Sequence, residues 1–212
     1  MSETVQDILR VISVTMKTPT IIVLIILIAI AVVMLGSIVA EYFTDHRKLN
    51  ARIPELIDDF QGKNSAELEE VVKKAGLLKR QKEALLQLIR RKDYSDNTRE
   101  ALARQLIAEE EYRYGRIVKV TDIVARIAPM FGLMGTLIPL GPGLIALGQG
   151  DTKTLSDSLL IAFDTTVAGL IAGAVSYIVS GIRKNWYEKY MVALETMMET
   201  ILEEQSRERN AK

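Results

Sequence analysis

The stretch "SLLIAFDTTVAGLIAGAVSYIVSGI", residues 158–182, decides the fold. It is apolar and long enough to cross a bilayer, since a transmembrane helix needs roughly 20 mostly apolar residues. It nevertheless contains Asp164, and Thr165 and Thr166 follow directly. A carboxylate inside a membrane span is costly and is therefore a candidate functional group. The stretch predicts a membrane helix that carries a polar site.

Two further apolar blocks precede this stretch. Residues 18–40 are uncharged and consist largely of Ile, Leu and Val. A cleaved signal peptide is the alternative for this block, but its apolar region would be shorter and its start more basic. Residues 128–150 are also uncharged, and Pro139 and Pro142 should kink this second span because each removes a backbone donor. The three blocks predict an all-α protein with three transmembrane helices.

The positive charges predict the orientation, because Lys and Arg accumulate on the cytoplasmic side of spans. They follow the first span, precede the second and follow the third, whereas only Lys153 lies between the second and third. The amino terminus is therefore expected outside and the carboxyl terminus in the cytoplasm. The predicted segments are 1–17 (amphipathic), 18–40 (first span), 41–127 (cytoplasmic helical region), 128–150 (second span), 151–157 (outer loop), 158–182 (third span) and 183–212 (cytoplasmic helix).

The segments outside the spans also carry helical patterns. Asn64 and Glu67 have the spacing of a capping box at the start of a helix. A long helix is expected from near Thr98 into the second span. Apolar residues at helical spacing predict an amphipathic helix at the outer interface and a packed stripe in the last helix. These are Val5, Ile8, Leu9, Ile12 and Met16 in the first case, and Trp186, Tyr190, Leu194, Met197 and Ile201 in the second.

The composition argues against several functions. The chain has no net charge, which gives no reason to expect nucleic acid as a partner. It has no cysteine, and its only histidine is His46, so no metal site or Ser-His-Asp triad is expected. No phosphate-binding glycine motif appears, and no nucleophile, base and orienting group occur together. We expect neither an enzyme nor a cofactor.

Small residues in the second and third spans predict close helix packing. Gly169 and Gly173 have the G-x-x-x-G spacing that places two glycines on one helix face and lets another helix approach. We assign the same packing role to Gly132 and Gly135 of the second span.

The motifs "RIAPMFGLMGT" (126–136) and "AFDTTVAGLIAGA" (162–174) together resemble the MotA/TolQ/ExbB proton-channel family. The resemblance covers residues 95–190 by sequence and the rest of the chain by the order of its spans. The modest length and small cytoplasmic region look closest to the ExbB and TolQ type.

The resemblance implies a subunit of a proton-driven machine in the plasma membrane of a prokaryote. Such subunits form a homo-oligomeric ring, usually of five copies, around a small single-span protein of the ExbD/TolR kind that supplies a membrane aspartate. The partner passes force to the cell envelope or to an uptake system. Thr136 and Thr166 match the family's two threonines that are thought to line the ion path.

The chain departs from the family pattern at two places. ExbB-like members often carry a glutamate where this chain has Ile161, and the family usually lacks the "IPLGPG" of residues 138–143. Asp164 shares a helix face with Ile161, so the acid has moved by one turn. We predict that Asp164 takes up and releases protons, and we include Thr165 with it in the ion pathway.

Alternatives remain open for these side chains and for the function. Asp164 could cap a backbone or bond Thr136 or a neighbouring helix, with no proton role. Thr136 and Thr166 could pack between close helices and bond their own backbones. The whole chain could be a non-conducting membrane scaffold or binding subunit of a transport complex, or a transporter subunit that moves a solute itself.

Overall fold

A computed structural model describes residues 11–12, 15–43 and 53–210 of the chain. This part is helical and contains no strand, which confirms the predicted all-α class. Its principal helices are α1 (Lys17–Glu41), α2 (Ile53–Phe60), α3 (Ser65–Lys74), α4 (Lys79–Arg90), α5 (Asp96–Gly148) and α6 (Thr152–Asn210).

The helices form two units. One consists of Met1–Ser37 with Val118–Gly181 and is called here the membrane unit. The other consists of Ile38–Ile117 with Ile182–Lys212 and is called here the bundle unit.

Three helices of the described part, α1, α5 and α6, are long and apolar enough to cross a membrane. The chain is therefore a multi-pass membrane protein. In α1 the buried side chains recur every three or four residues, which places them on one helix face. They are Thr20, Leu24, Leu27, Ala31 and Met34, whereas Ile25, Val32 and Val33 are exposed on other faces.

Helix α5 continues through all three of its prolines, Pro129, Pro139 and Pro142. Each proline removes one backbone donor, but none ends the helix. Pro139 is buried and Pro142 is exposed. The expected long helix into the second span is present, and it begins at Asp96, two residues before the predicted start at Thr98.

The connection between α5 and α6 is shorter than the outer loop predicted for residues 151–157, because α6 already begins at Thr152. The Asp151 carboxylate explains this early start. It accepts hydrogen bonds from the Thr154 backbone N–H (3.0 Å) and from Thr154 Oγ1 (2.5 Å), which satisfies a free donor of the first helical turn. These bonds lower the pKa of Asp151.

The bundle unit has a core of large apolar side chains from α2, α3, α4, the start of α5 and the end of α6. Phe60, Leu68, Leu85, Leu88 and Met197 are fully buried. The expected stripe on the last helix is buried throughout, and it comprises Trp186, Tyr190, Leu194, Met197 and Ile201.

The predicted capping box at the start of α3 is confirmed. Asn64 Oδ1 accepts from the Ala66 N–H (3.1 Å) and the Glu67 N–H (3.0 Å). The Glu67 carboxylate accepts from the Asn64 N–H at 3.1 Å. Three backbone N–H groups at the start of the helix are thereby satisfied by side chains.

A buried polar group crosses the core of the bundle unit. The Gln205 amide donates to Ser65 Oγ and to the Ile89 carbonyl, both at 3.1 Å. Its oxygen accepts from the guanidinium of Arg99, a side chain that is only 1% exposed. Gln205 thus connects α6 with α3, α4 and α5, and these hydrogen bonds fix the position of α6 along the other three helices.

Two sequence predictions concern residues outside the described part. The amphipathic segment includes Val5, Ile8 and Leu9, which lie there. So do His46 and the positive charges that follow the first span, Arg47, Lys48 and Arg52.

Candidate functional site in the hairpin of α5 and α6

The two helices of the hairpin touch through backbone at Gly132 and Gly169. A Cβ added to Gly169 would lie 2.7 Å from the Ala128 carbonyl oxygen and 2.8 Å from Gly132 Cα. A Cβ added to Gly132 would lie 3.1 Å from the Thr165 carbonyl oxygen. No side chain fits at Gly169 without moving a backbone. We call this contact line the seam.

Gly135 and Gly173 extend the seam in both directions. A Cβ on Gly135 would lie 2.5 Å from Thr165 Oγ1, and one on Gly173 would lie 2.5 Å from Pro129 Cγ. The structure therefore places all four predicted packing glycines in the seam, each against an atom of the opposite helix. Small residues let membrane helices approach in this way, since lipid supplies no hydrophobic drive between them.

The three threonines of the candidate site all donate to their own helices. Thr165 Oγ1 lies 2.9 Å from the Ile161 carbonyl and 3.0 Å from the Ala162 carbonyl. Thr166 Oγ1 donates to the Ala162 carbonyl at 3.1 Å. Thr136 Oγ1 donates to the Leu133 carbonyl at 2.6 Å. Such bonds satisfy a hydroxyl in lipid, and the oxygen lone pairs still remain available as acceptors.

Thr165 differs from the other two in its position. It packs on Gly135 inside the seam, whereas the side chains of Thr136 and Thr166 are half-buried and donate to Leu133 and Ala162 of their own helices. The sequence grouped Thr165 with the ion pathway, and the structure places it where the helices pack.

Asp164 lies outside the seam. Its side chain is exposed, and within the described residues it makes no hydrogen bond or ion pair. The alternative in which Asp164 caps a backbone or bonds Thr136 is therefore not realised among residues 11–12, 15–43 and 53–210. Residues one and two turns away on the same face, Leu160, Val167 and Ile171, are exposed as well. A lone carboxylate on an apolar face needs a partner from another molecule or from water.

A side-chain hydrogen bond that the sequence did not predict also joins α5 and α6. Ser180 Oγ on α6 donates to Asp122 Oδ1 on α5. Ser180 is almost fully buried, and Thr121 and Ser176 are completely buried nearby in sequence. The signal was available, because Ser176 and Ser180 continue the spacing of three and four residues that begins at Gly169 and Gly173.

In the part of the chain that the structure describes, no three His, Cys, Asp or Glu side chains come together as a metal site. The polar groups of the hairpin described above are hydroxyls and the carboxylates of Asp122 and Asp164.

A glycine-packed hairpin with a carboxylate on its outer face, in a chain with three membrane helices, has the features of an ion-conducting membrane subunit. The sequence matches the MotA/TolQ/ExbB proton channel family over residues 67–196, which is more than half of the chain, so the chain belongs to this family. The matched region contains all of α5 and α6 as far as residue 196, which includes the seam. No curated protein matches the chain.

Membership in this family indicates a proton-channel function, which is a form of ion transport. The family is not a known enzyme class. Proteins of this family work with partner proteins in membrane complexes.

Proposed function

We propose that the chain is the ring-forming subunit of a proton-driven membrane motor of the ExbB/TolQ type. It uses the proton gradient to energise a partner that acts in the cell envelope or in uptake. The observation that carries this proposal is the isolated, exposed carboxylate of Asp164 on an apolar helix face. We take the ion to be the proton because the matched family is a proton-channel family.

The assembly proposed is a homo-oligomer, usually of five copies, around a small single-span protein of the ExbD/TolR kind. That protein contributes a membrane aspartate. The complex lies in the plasma membrane of a prokaryote, with the amino terminus of this chain outside and its carboxyl terminus in the cytoplasm. The exposed face of α6 supports a ring, because neighbouring subunits or the central partner would cover Asp164 there.

The proposed ion path uses Thr136, Thr166 and Asp164. In this path Asp164 accepts a proton from one side of the membrane and releases it to the other, the role that an ionisable side chain in a membrane span suggests. The threonine oxygens offer acceptor lone pairs beside this path, since their protons are committed to their own helices. Thr165 positions the seam through its contact with Gly135.

The first test is the native mass and composition of the complex extracted gently from its source membrane. A ring of several copies that holds a smaller single-span protein supports the motor. A complex without any such protein contradicts it and favours the non-conducting scaffold.

The second test is partner-dependent proton flux in vesicles that contain the whole complex. Asp164→Asn should lower the flux by roughly a hundredfold, the size expected when a proton-transferring group is removed. Asp157→Asn is the matched control, because Asp157 is an exposed acid of the same helix near its start. Equal flux from both variants and the wild type would remove Asp164 from the proton path.

A further inference from the structure

The bundle unit carries two surface grooves of opposite charge. The first, called the basic groove, has a volume of about 720 Å³ and is lined by three arginines and one glutamate among its charged residues. These are Arg80, Arg113, Arg116 and Glu109. The second, called the acidic groove, has a volume of about 340 Å³ and is lined by three glutamates and one arginine. These are Glu100, Glu195, Glu199 and Arg104.

Each groove contains charged side chains that form no ion pair with another described residue. In the acidic groove Arg104 pairs with Glu100 at 3.2 Å, but Glu195 and Glu199 have no ion-pair partner among the described residues. In the basic groove Arg113 lies 3.8 Å from Glu110.

Arg80 and Arg116 form no ion pair in the described part of the chain either. Arg116 lies over the ring of Tyr112, 5.2 Å from its centre. That ring is 70% exposed. The basic groove therefore offers Arg116 beside an exposed aromatic residue, together with Arg80, whose charge also acts on Glu110.

The grooves lie on opposite faces of α5. The basic groove uses residues 105, 108, 109, 112, 113, 116 and 117 of α5, whereas the acidic groove uses residues 100, 103, 104 and 107. Because successive helix residues are about 100° apart, the two sets point in directions that differ by roughly 180°. The centres of the two grooves are also about 12 Å apart along the helix. In a closed ring, α5 would therefore be inclined to the ring axis, so that the two grooves of neighbouring copies meet.

From this arrangement we infer that the basic groove of one copy of the chain binds the acidic groove of the next copy. Two complementary surfaces on opposite sides of one element make a head-to-tail contact, which closes into a ring when the rotation permits. A two-fold contact would place like charges together, which is unfavourable at an interface. The inference deepens the proposed ring by assigning the surfaces through which its copies pair outside the membrane unit.

The apolar and aromatic residues that line the two grooves also fit a protein partner. The half-buried Ile107 and Leu202 line the acidic groove, and the exposed Tyr112 and Ile117 line the basic groove. Apolar and aromatic side chains surrounded by charges are typical of an interface core with a polar rim.

Charge reversal in the full-length chain tests the inference. Arg80→Glu with Arg116→Glu makes both grooves acidic, and Glu195→Arg with Glu199→Arg makes both basic. Each double variant should raise the protein concentration needed for half-assembly by at least about tenfold, since attraction becomes repulsion at every contact. Lys92→Glu with Lys189→Glu is the matched control, because both lysines are exposed and lie outside the grooves.

The chain with all four reversals should assemble again, because its grooves are once more complementary. Native mass spectrometry measures the copy number, and circular dichroism verifies that each variant is folded. Restored assembly in the fourfold variant would exclude misfolding as the cause of the losses. A folded double variant that assembles like the wild type, or a folded fourfold variant that does not recover, overturns the inference.

Cross-linking gives a second measurement. Since the chain has no cysteine, Arg116→Cys with Glu199→Cys introduces the only two thiols. A short bismaleimide reagent should produce a ladder from two copies up to the full ring, whereas either single variant should not. If the double-cysteine variant forms a ring but gives no cross-linked ladder, the proposed contact surfaces are wrong and the ring stands. If the wild-type protein is a monomer, both the surfaces and the ring are wrong.

Discussion

The membrane unit and the bundle unit are both helical, but they are packed in different ways. In the membrane unit α5 and α6 meet through glycines, with backbone against backbone at Gly132 and Gly169. In the bundle unit helices are held apart by large side chains such as Phe60, Leu85 and Met197. Water drives apolar side chains into a core, whereas lipid does not, so membrane helices associate through close fit and hydrogen bonds. The comparison predicts different responses to mutation in the two units.

The largest effect is expected at the seam. Gly169→Leu should prevent the hairpin from closing, so that little folded protein is recovered from the membrane, because the opposing atoms are backbone and cannot yield. Gly181→Leu is the control on the same helix, since a Cβ at Gly181 has no atom within 4 Å. Folded yield in detergent, measured by size-exclusion chromatography, checks the pair. Equal yields would mean that the seam is not needed for folding.

The next effect is expected in the bundle core. Leu194→Ala should lower the free energy of unfolding by about 3 kcal/mol, because it removes buried methyl groups and leaves a cavity. Val192→Ala, an exposed position on the same helix, should change it by less than about 1 kcal/mol. Thermal unfolding followed by circular dichroism compares the two. A larger loss from the exposed valine would contradict the assigned core.

A smaller effect is expected from the polar contact in the membrane unit. Ser180→Ala removes the hydroxyl that donates to Asp122 and should lower the free energy of unfolding by about 1–2 kcal/mol, the usual cost of removing one partner of a buried hydrogen bond. Ser156→Ala, an exposed serine near the start of the same helix, should cost nothing measurable. The same unfolding assay decides, and equal stability of both variants would show that the contact contributes little.

The smallest effect concerns Glu110 in the bundle unit, which is 8% exposed. Burial raises its pKa above the ordinary 4.5, so the folded state binds the proton more tightly than the unfolded state. Its contribution to stability is therefore full below pH 4.5 and is lost as the pH rises through the raised pKa.

Glu110→Gln should accordingly match the wild type near pH 4 and be more stable by about 1 kcal/mol near pH 7.5. Glu111→Gln, at the exposed neighbouring position, should show no such pH-dependent difference. Melting temperatures at the two pH values make the comparison. A Gln variant that is less stable than the wild type at pH 7.5 would mean that the ionised carboxylate is favoured in the fold.

The helical architecture could be predicted from the sequence because hydrophobic length, capping chemistry and helical spacing are local signals. Asn64 with Glu67 and the stripe from Trp186 to Ile201 are examples. The helix start at Thr152 lies ahead of the predicted span, because the Asp151 cap lies in a polar stretch that also resembles a loop. The pairing of Ser180 with Asp122 depends on two residues 58 positions apart, and no local pattern contains that information.

The candidate site was predicted in part for the same reason. The glycine spacing showed which faces could approach, but not which atoms would meet across the seam. That Thr165 would face Gly135, whereas Asp164 would remain exposed, follows from the rotation of α6 about its axis. The charged grooves of the bundle unit were invisible in sequence, since each combines residues from two helices.

The contact between Gly132 and Gly169 has a mechanical consequence. It contains no side chain that could change rotamer, and a shift by one residue along the helix would bring a bulkier group against a backbone. The seam therefore acts as a fixed joint, and the two helices of the hairpin must travel together. Whatever slides or turns while the protein works must do so on the outer faces of the hairpin, where Asp164 is found.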